Sequence, residues 1–278
     1  MAESRKFTTF PASASIQVPP RFKRPTAIHT ALVLGTIMVS IHAFHGTELG
    51  TMTVIELLEM PGNIGRLLGE MFPPSLATLP KIWPAVLQTL QMCLVGTVLG
   101  IACSIPLGFF AAKNLTPGRL PYFLSRSLLS LCRTIPDMVW AILFVIIVGL
   151  GPLAGMLTLL MDTLGFAGRF FAEAFEEVET EPHEALASIG ATASGSFFSV
   201  TLPSAMPTCI NTSLFSLERA VQSSVVLGLV GAGGIGMLLE EPMTWHQYQQ
   251  ATTVIITIFI LLVAVEQASA LLRKHVLN

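Results

Sequence analysis

The sequence predicts an all-α integral membrane protein with about six transmembrane helices. Of its 278 residues, 52% are hydrophobic and only 12% charged, against about 25% charged in a soluble domain. Mean hydropathy is +0.70. The apolar residues fall in long runs, and the fifteen Lys and Arg residues gather at the ends of those runs, the pattern of a chain threaded through a bilayer. A formal net charge of −2 offers no basic field for nucleic acid.

The elements follow in order. Residues 1–26 form a polar tail with Arg5, Lys6, Arg21, Lys23 and Arg24, and an uncharged run from Pro25 to Gly46 follows. No small-residue cleavage site is evident near Ala43, so the run reads as a retained first helix whose basic flank holds the N-terminus in the cytoplasm. Residues 47–81 are amphipathic and broken at Pro61-Gly62 and Pro73-Pro74, as an external interfacial segment would be. From Ile82 to Ala112 no charged side chain occurs, more than the roughly 20 residues that a crossing needs. Lys113, Arg119 and Arg126 then mark a cytoplasmic loop.

A third crossing is expected from about Pro121 to Gly149, an external turn at Gly149-Leu-Gly-Pro152, and a fourth crossing from Leu153 to about Phe171. One uninterrupted helix from Met138 to Met161 is the rival parsing. An acidic cytoplasmic loop at about 176–202, a fifth crossing at about Pro203–Leu229, a Gly-rich stretch at or near the outer face and a sixth crossing at Gln250–Leu272 complete the chain. Arg273, Lys274 and His275 close it inside. The expected organisation is thus a cytoplasmic tail, 1–26, and one transmembrane domain, 27–278, with both termini cytoplasmic.

Cys93, Cys103, Cys132 and Cys209 lie in apolar stretches without a C-x-x-C pair, and the six histidines are scattered. No metal site and no disulfide framework is expected. No catalytic residues are assigned either, because neither a metal-type His/Glu spacing nor a Ser-His-Asp set is present.

The segment Thr180-Glu-Pro-His-Glu-Ala-Leu-Ala-Ser-Ile-Gly190 reads as a short helix. Thr180 caps it, Pro182 sits in the first turn, and Glu181 and Glu184 suit the positive end of its dipole. Ala185, Leu186 and Ile189 share an apolar face. Gly190 stops the helix by turning left-handed, and a second helix, Ala191–Val200, leaves at an angle before Leu202-Pro203 opens the next crossing.

This segment resembles the cytoplasmic signature of permeases of binding-protein-dependent ABC importers: E-A-A, three residues, G, nine residues, I-x-L-P. Here it reads Glu184-Ala185-Leu186, Gly190 and Val200-Thr-Leu202-Pro203, with Leu for the second Ala and Val for Ile. The resemblance implies a type I importer permease (MetI-like) fold with a coupling-helix loop that docks on a separate ATPase. Glu184, Ala185, Gly190, Leu202 and Pro203 are the coupling residues it designates. The chain lacks a phosphate-cradling G-x-x-x-x-G-K-[ST], since none of its five lysines follows a glycine. No cofactor is therefore expected on this chain, and ATP and Mg belong to the partner.

From about Met71 onward the chain further resembles permeases of phosphonate-type importers. The matching pieces are Phe72-Pro-Pro74, Ile105-Pro-Leu-Gly108, Ala111-Ala-Lys-Asn114, Arg133-Thr-Ile-Pro-Asp137-Met-Val-Trp140, Gly149-Leu-Gly-Pro-Leu-Ala-Gly155 and Val226–Gly236. The resemblance implies a phosphonate, phosphite or phosphate cargo. It also implies a second copy of the chain, two ATPase subunits, an extracytoplasmic solute-binding protein and a place in the bacterial inner membrane. A permease for methionine or glycine betaine is the alternative, and an integral-membrane enzyme the remote one.

Ionisable residues inside a membrane are costly and tend to face a pathway or one another. Arg133 and Asp137, four apart, are expected to share a helix face and pair, with Pro136 loosening the backbone between them; a structural pair and an anion-pathway role are both open. Glu218 and Arg219 lie about 100° apart on their helix and should find different partners. Phosphonate permeases commonly carry a cation four residues after this Glu; here Gln222 stands there, and Arg219 is the substitute candidate. Gly231-Ala-Gly-Gly-Ile-Gly236 is a literal G-x-G-x-x-G, but no strand–helix alternation surrounds it and no acidic residue lies about 20 residues beyond. A helix break for close packing is expected instead, with the N–H groups around Gly231, Gly233 and Gly234 available to an oxyanion.

Overall fold

Apolar runs with satisfied backbones can only be helices in lipid, and the described residues contain helices and turns without a strand. The computed structural model describes residues 27–45, 54–179 and 181–277. The basic tail and the Thr180 cap lie outside these residues, as does the side chain of Glu184. Two units separate at Ile64/Gly65.

The first unit contains α1 (Ala27–His45), whose apolar side chains, Leu32, Val33, Leu34 and Met38 among them, are exposed. Helix α2 (Val54–Met71) begins in this unit and ends in the second; it is amphipathic and holds Pro61. All remaining elements belong to the second unit: α3 (Leu79–Ala111), α4 (Arg119–Thr134), α5 (Asp137–Val148), α6 (Pro152–Glu176), α7 (Glu181–Ser188), α8 (Ala193–Ser196), α9 (Leu202–Leu229), α10 (Met237–Thr244) and α11 (Tyr248–Leu277).

The core is built on the α3–α6 pair. Gly96, Gly100, Ser104 and Gly108 repeat every four residues and form one smooth stripe on α3. A Cβ on Gly96 would fall 2.8 Å from the Met156 carbonyl oxygen; one on Gly100, 2.6 Å from Thr163 Cβ; one on Gly108, 3.1 Å from Phe171 Cβ. The partners advance in step along both helices, so α3 and α6 run parallel. Helix α4 packs antiparallel on another side of α6, where Gly165 meets the Cys132–Arg133 backbone and Gly168 meets Leu129. At one end Arg126 Nη2 and the Lys113 N–H both donate to Glu176 Oε1, at 2.8 and 2.7 Å, joining α3, α4 and α6.

Leu76–Ala111 and Tyr248–His275 are each long and apolar enough to cross a membrane. Helices α4 and α5 qualify only together, and they meet at 93°. The third crossing expected at 121–149 is thus two helices with a sharp bend between them, the geometry of a broken span or of a re-entrant loop. Pro136 disfavours a helical Ile135, whose ψ is 123°, and α5 starts afresh behind it. The rival helix from Met138 to Met161 is ruled out at Gly149 and Gly151, with φ of 91° and 133°. Helices α6 and α9, at 25 and 28 residues, have the length for a crossing but carry charged side chains.

The Gly-rich stretch is not an exposed loop, for every residue from Gly231 to Gly236 is buried. The Ile235 N–H donates to Thr89 Oγ1 at 2.8 Å, the Gly234 N–H to Gln88 Oε1 at 3.3 Å, and the Gly151 N–H to the Gly231 carbonyl at 2.9 Å. Thr89 is ten residues into α3, about 15 Å along its axis. The starts of α3 and α11 lie together, the Ser75 N–H donating to the Gln249 carbonyl at 3.1 Å. The chain thus leaves α9, turns within the bundle, and returns through α10.

Candidate functional site

Two places gather the chemistry. The first is the link between α6 and α9. Helix α7 ends as its sequence dictates: Gly190 has φ +84°, and the Ala191 N–H donates back to the Leu186 carbonyl at 3.1 Å, closing the last turn. Thr192 then starts the next helical stretch, its Oγ1 accepting from the Gly195 N–H at 3.2 Å. That stretch runs through α8 and one wider turn, Phe197–Thr201, directly into α9, so Leu202 and Pro203 stand in the first turn of a long helix. Ala185 is exposed, and Ile189 at the tip is 78% exposed. An isoleucine held out to solvent next to a rigid glycine turn is a surface that another protein can cover.

The second place lies near the middle of α6 and α9. Arg219 Nη2 donates to Asp162 Oδ1 at 2.9 Å, and its guanidinium lies 4.6 Å from the centroid of the Phe166 ring. One turn along α9, Ser223 Oγ donates to Asp137 Oδ2 at 2.9 Å. Glu218 faces the other way and takes Arg273 of α11 at 2.5 Å. The expectation that Glu218 and Arg219 engage different partners agrees with this geometry. The expected Arg133–Asp137 pair does not form. The 93° break puts the two residues on different helices, and Asp137 turns to Ser223 while Arg133 makes no ion pair among the described residues. Gln222 is exposed, with no side-chain hydrogen bond to a described residue.

Gly231, Gly233 and Gly234 all have positive φ. A Cβ on Gly233 would lie 2.8 Å from Pro152 Cα, so close packing accounts for it. The N–H groups of Gly231, Ala232, Gly234 and Ile235 donate to Gly228, Leu227, Gln88 and Thr89. They are thus committed within the fold, which leaves Gly233, of the three glycines expected to offer an N–H to an oxyanion, with no N–H hydrogen bond among the described residues.

Residues 104–274 match the model of the family described as "Binding-protein-dependent transport system inner membrane component". The chain belongs to this family. Among its relatives, this permease component is 35% identical over 207 residues to the "Phosphate-import permease protein PhnE" of Mycolicibacterium smegmatis, covering 74% of this chain but 39% of that longer protein. It is 32% identical over 245 residues to the "Phosphite transport system permease protein PtxC" of Stutzerimonas stutzeri, covering 88% and 87% of the two chains. The fold is shared with a chain of the inward-facing MetNI methionine ABC transporter, with a TM-score of 0.62 and 24% identity over 72% of this chain and 98% of that one.

For a membrane permease, Asp162 is the residue that sequence reasoning overlooked, although a carboxylate inside an apolar run is itself a signal. Arg273 was read only as a basic flank; nothing in the sequence tells that it reaches Glu218. Ser223, a small polar residue in a helix, carries no signal of its own.

Proposed function

We propose that this chain is the membrane-spanning permease subunit of an ABC importer that moves a phosphorus oxyanion into the cytoplasm. Two copies assemble with two ATPase subunits and an extracytoplasmic solute-binding protein. ATP and Mg act on the ATPase, and the chain itself catalyses no reaction. Six crossings with both termini inside suit the basic flanks.

The observation that carries the reading is the exposed α7–Gly190–α8 knob, joined without a break to α9. A motor that grips the knob would move a whole crossing with it, because a continuous helix transmits displacement. The cargo class rests on the relatives named for phosphate and phosphite. A methionine cargo is the second reading, favoured by the shared fold with the methionine transporter.

Co-reconstitution into liposomes tests both. With ATPase and cognate binding protein present, ATP hydrolysis should rise when the binding protein is loaded with alkylphosphonate, phosphite or phosphate. Stimulation by methionine alone would overturn the oxyanion reading.

A further inference from the structure

Helices α5, α6 and α9 are tied at one level by two polar contacts, Asp162–Arg219 and Asp137–Ser223. Arg133, at the end of α4, is the other cation near Asp162. Asp137 and Asp162 thus stand as two carboxylates with one guanidinium, Arg219, in direct contact with Asp162, while Arg133 is exposed and forms no ion pair among the described residues. The Arg219–Asp162 contact is a single one, and the other N–H donors of Arg219 have no partner among the described residues. Asp162 is nearly buried, with 11% of its side chain exposed, whereas that of Arg219 is 33% exposed. Phe166 covers one face of the guanidinium and so leaves its edge as the bonding side.

This arrangement suits exchange better than permanent bracing. A guanidinium edge matches two oxygens of a tetrahedral oxyanion as well as it matches a carboxylate. An anion arriving there competes with Asp162 for the guanidinium edge, since carboxylate and oxyanion offer it the same kind of acceptor oxygens. Arg219 is the cation with donors to spare and an exposed edge. We infer that Arg219 contacts the oxyanion in transit and that Asp162 is its internal counter-ion, holding the guanidinium when no cargo is present and sharing it as cargo passes. The inference rests on the proposed oxyanion importer.

Oxyanion uptake into proteoliposomes by the complete importer, with binding protein and ATPase, is the test. Arg219→Gln is expected to lower uptake by about tenfold or more. Because that change also strands Asp162, the deciding variant is the double Asp162→Asn/Arg219→Gln, which removes both charges. It should insert and assemble with the ATPase subunits, yet take up no more oxyanion than the single variant. Asp162→Asn alone frees Arg219, so phosphate trapped on the cytoplasmic side should inhibit uptake at concentrations about tenfold lower than for the unaltered chain. Wild-type uptake in the double variant, or unchanged inhibition in Asp162→Asn, would make the pair a structural brace and overturn the inference. An unaltered importer that moves methionine but no oxyanion would instead overturn the proposed function.

Discussion

The knob at 181–201 and the ion-pair layer at Asp137, Asp162, Glu218 and Arg219 are opposites in how they are satisfied. At the knob, Ile189 stands 78% exposed and the turn at Gly190 is closed only by its own backbone. In the layer, Asp137, Asp162, Glu218 and Arg219 each have a partner on another helix. An apolar tip in water is completed by something outside the chain. Charges in a low-dielectric bundle must be matched from within, since stranding one costs several kcal/mol. The contrast separates a surface left open from an interior whose charged groups are matched.

The sharpest way to break this contrast is Gly190→Pro, with Glu184→Lys as companion. Proline cannot adopt the φ of +84° found here. Uptake should fall to background and ATP hydrolysis should lose its dependence on loaded binding protein, while membrane insertion persists. Normal uptake in both variants would remove the knob from the coupling path.

On the interior side, Gly100→Leu should be the most damaging change, because a Cβ already meets Thr163 at 2.6 Å. A loss of about 3 kcal/mol is expected, read as a lowered thermal midpoint in detergent. Next comes Arg273→Gln. It leaves Glu218, whose side chain is 12% exposed, without its cation, at a cost of roughly 2–4 kcal/mol. The double Glu218→Gln/Arg273→Gln should recover most of that loss, and failure to recover would mean that the two side chains act separately.

The smallest effects sharpen the comparison most. Thr89→Val removes the acceptor for the Ile235 N–H and should cost about 1–2 kcal/mol by leaving that group unpaired. Ile189→Ser should change stability by less than about 0.5 kcal/mol, yet weaken retention of the ATPase subunit during co-purification. If Ile189→Ser destabilised the isolated permease as much as Thr89→Val, the tip would be part of the fold rather than a free surface.

Much of the knob was legible, because its signals are local. A helix stop at Gly190 follows from backbone preferences within about ten residues, whereas the separate second helix expected at Ala191–Val200 is instead continuous with α9. The apolar runs that became α3 and α11 were legible for the same reason, each being one uninterrupted stretch. The sharpness of the bend in the third apolar stretch was not legible, because Ile135-Pro136 interrupts the helix without interrupting the hydropathy. The Arg133–Asp137 pair failed with it, since i,i+4 spacing brings side chains together only on a continuous helix. In the Gly231–Gly236 run, the partners of the backbone N–H groups were not legible. Only the position of Gln88 and Thr89, some 145 residues earlier in the chain, shows that Gly234 and Ile235 have partners.

By itself, the sequence determined the helical membrane class, the apolar stretches and the glycine turn of the knob. Each depends on composition or on neighbours a few residues apart, where hydrophobicity and backbone sterics act directly. The tertiary structure alone decided which polar groups meet. Asp162 with Arg219, Asp137 with Ser223 and Glu218 with Arg273 are separated by 57, 86 and 55 residues. Charge neutrality requires partners inside the bundle but does not name them. The packing of α5, α6, α9 and α11 chooses.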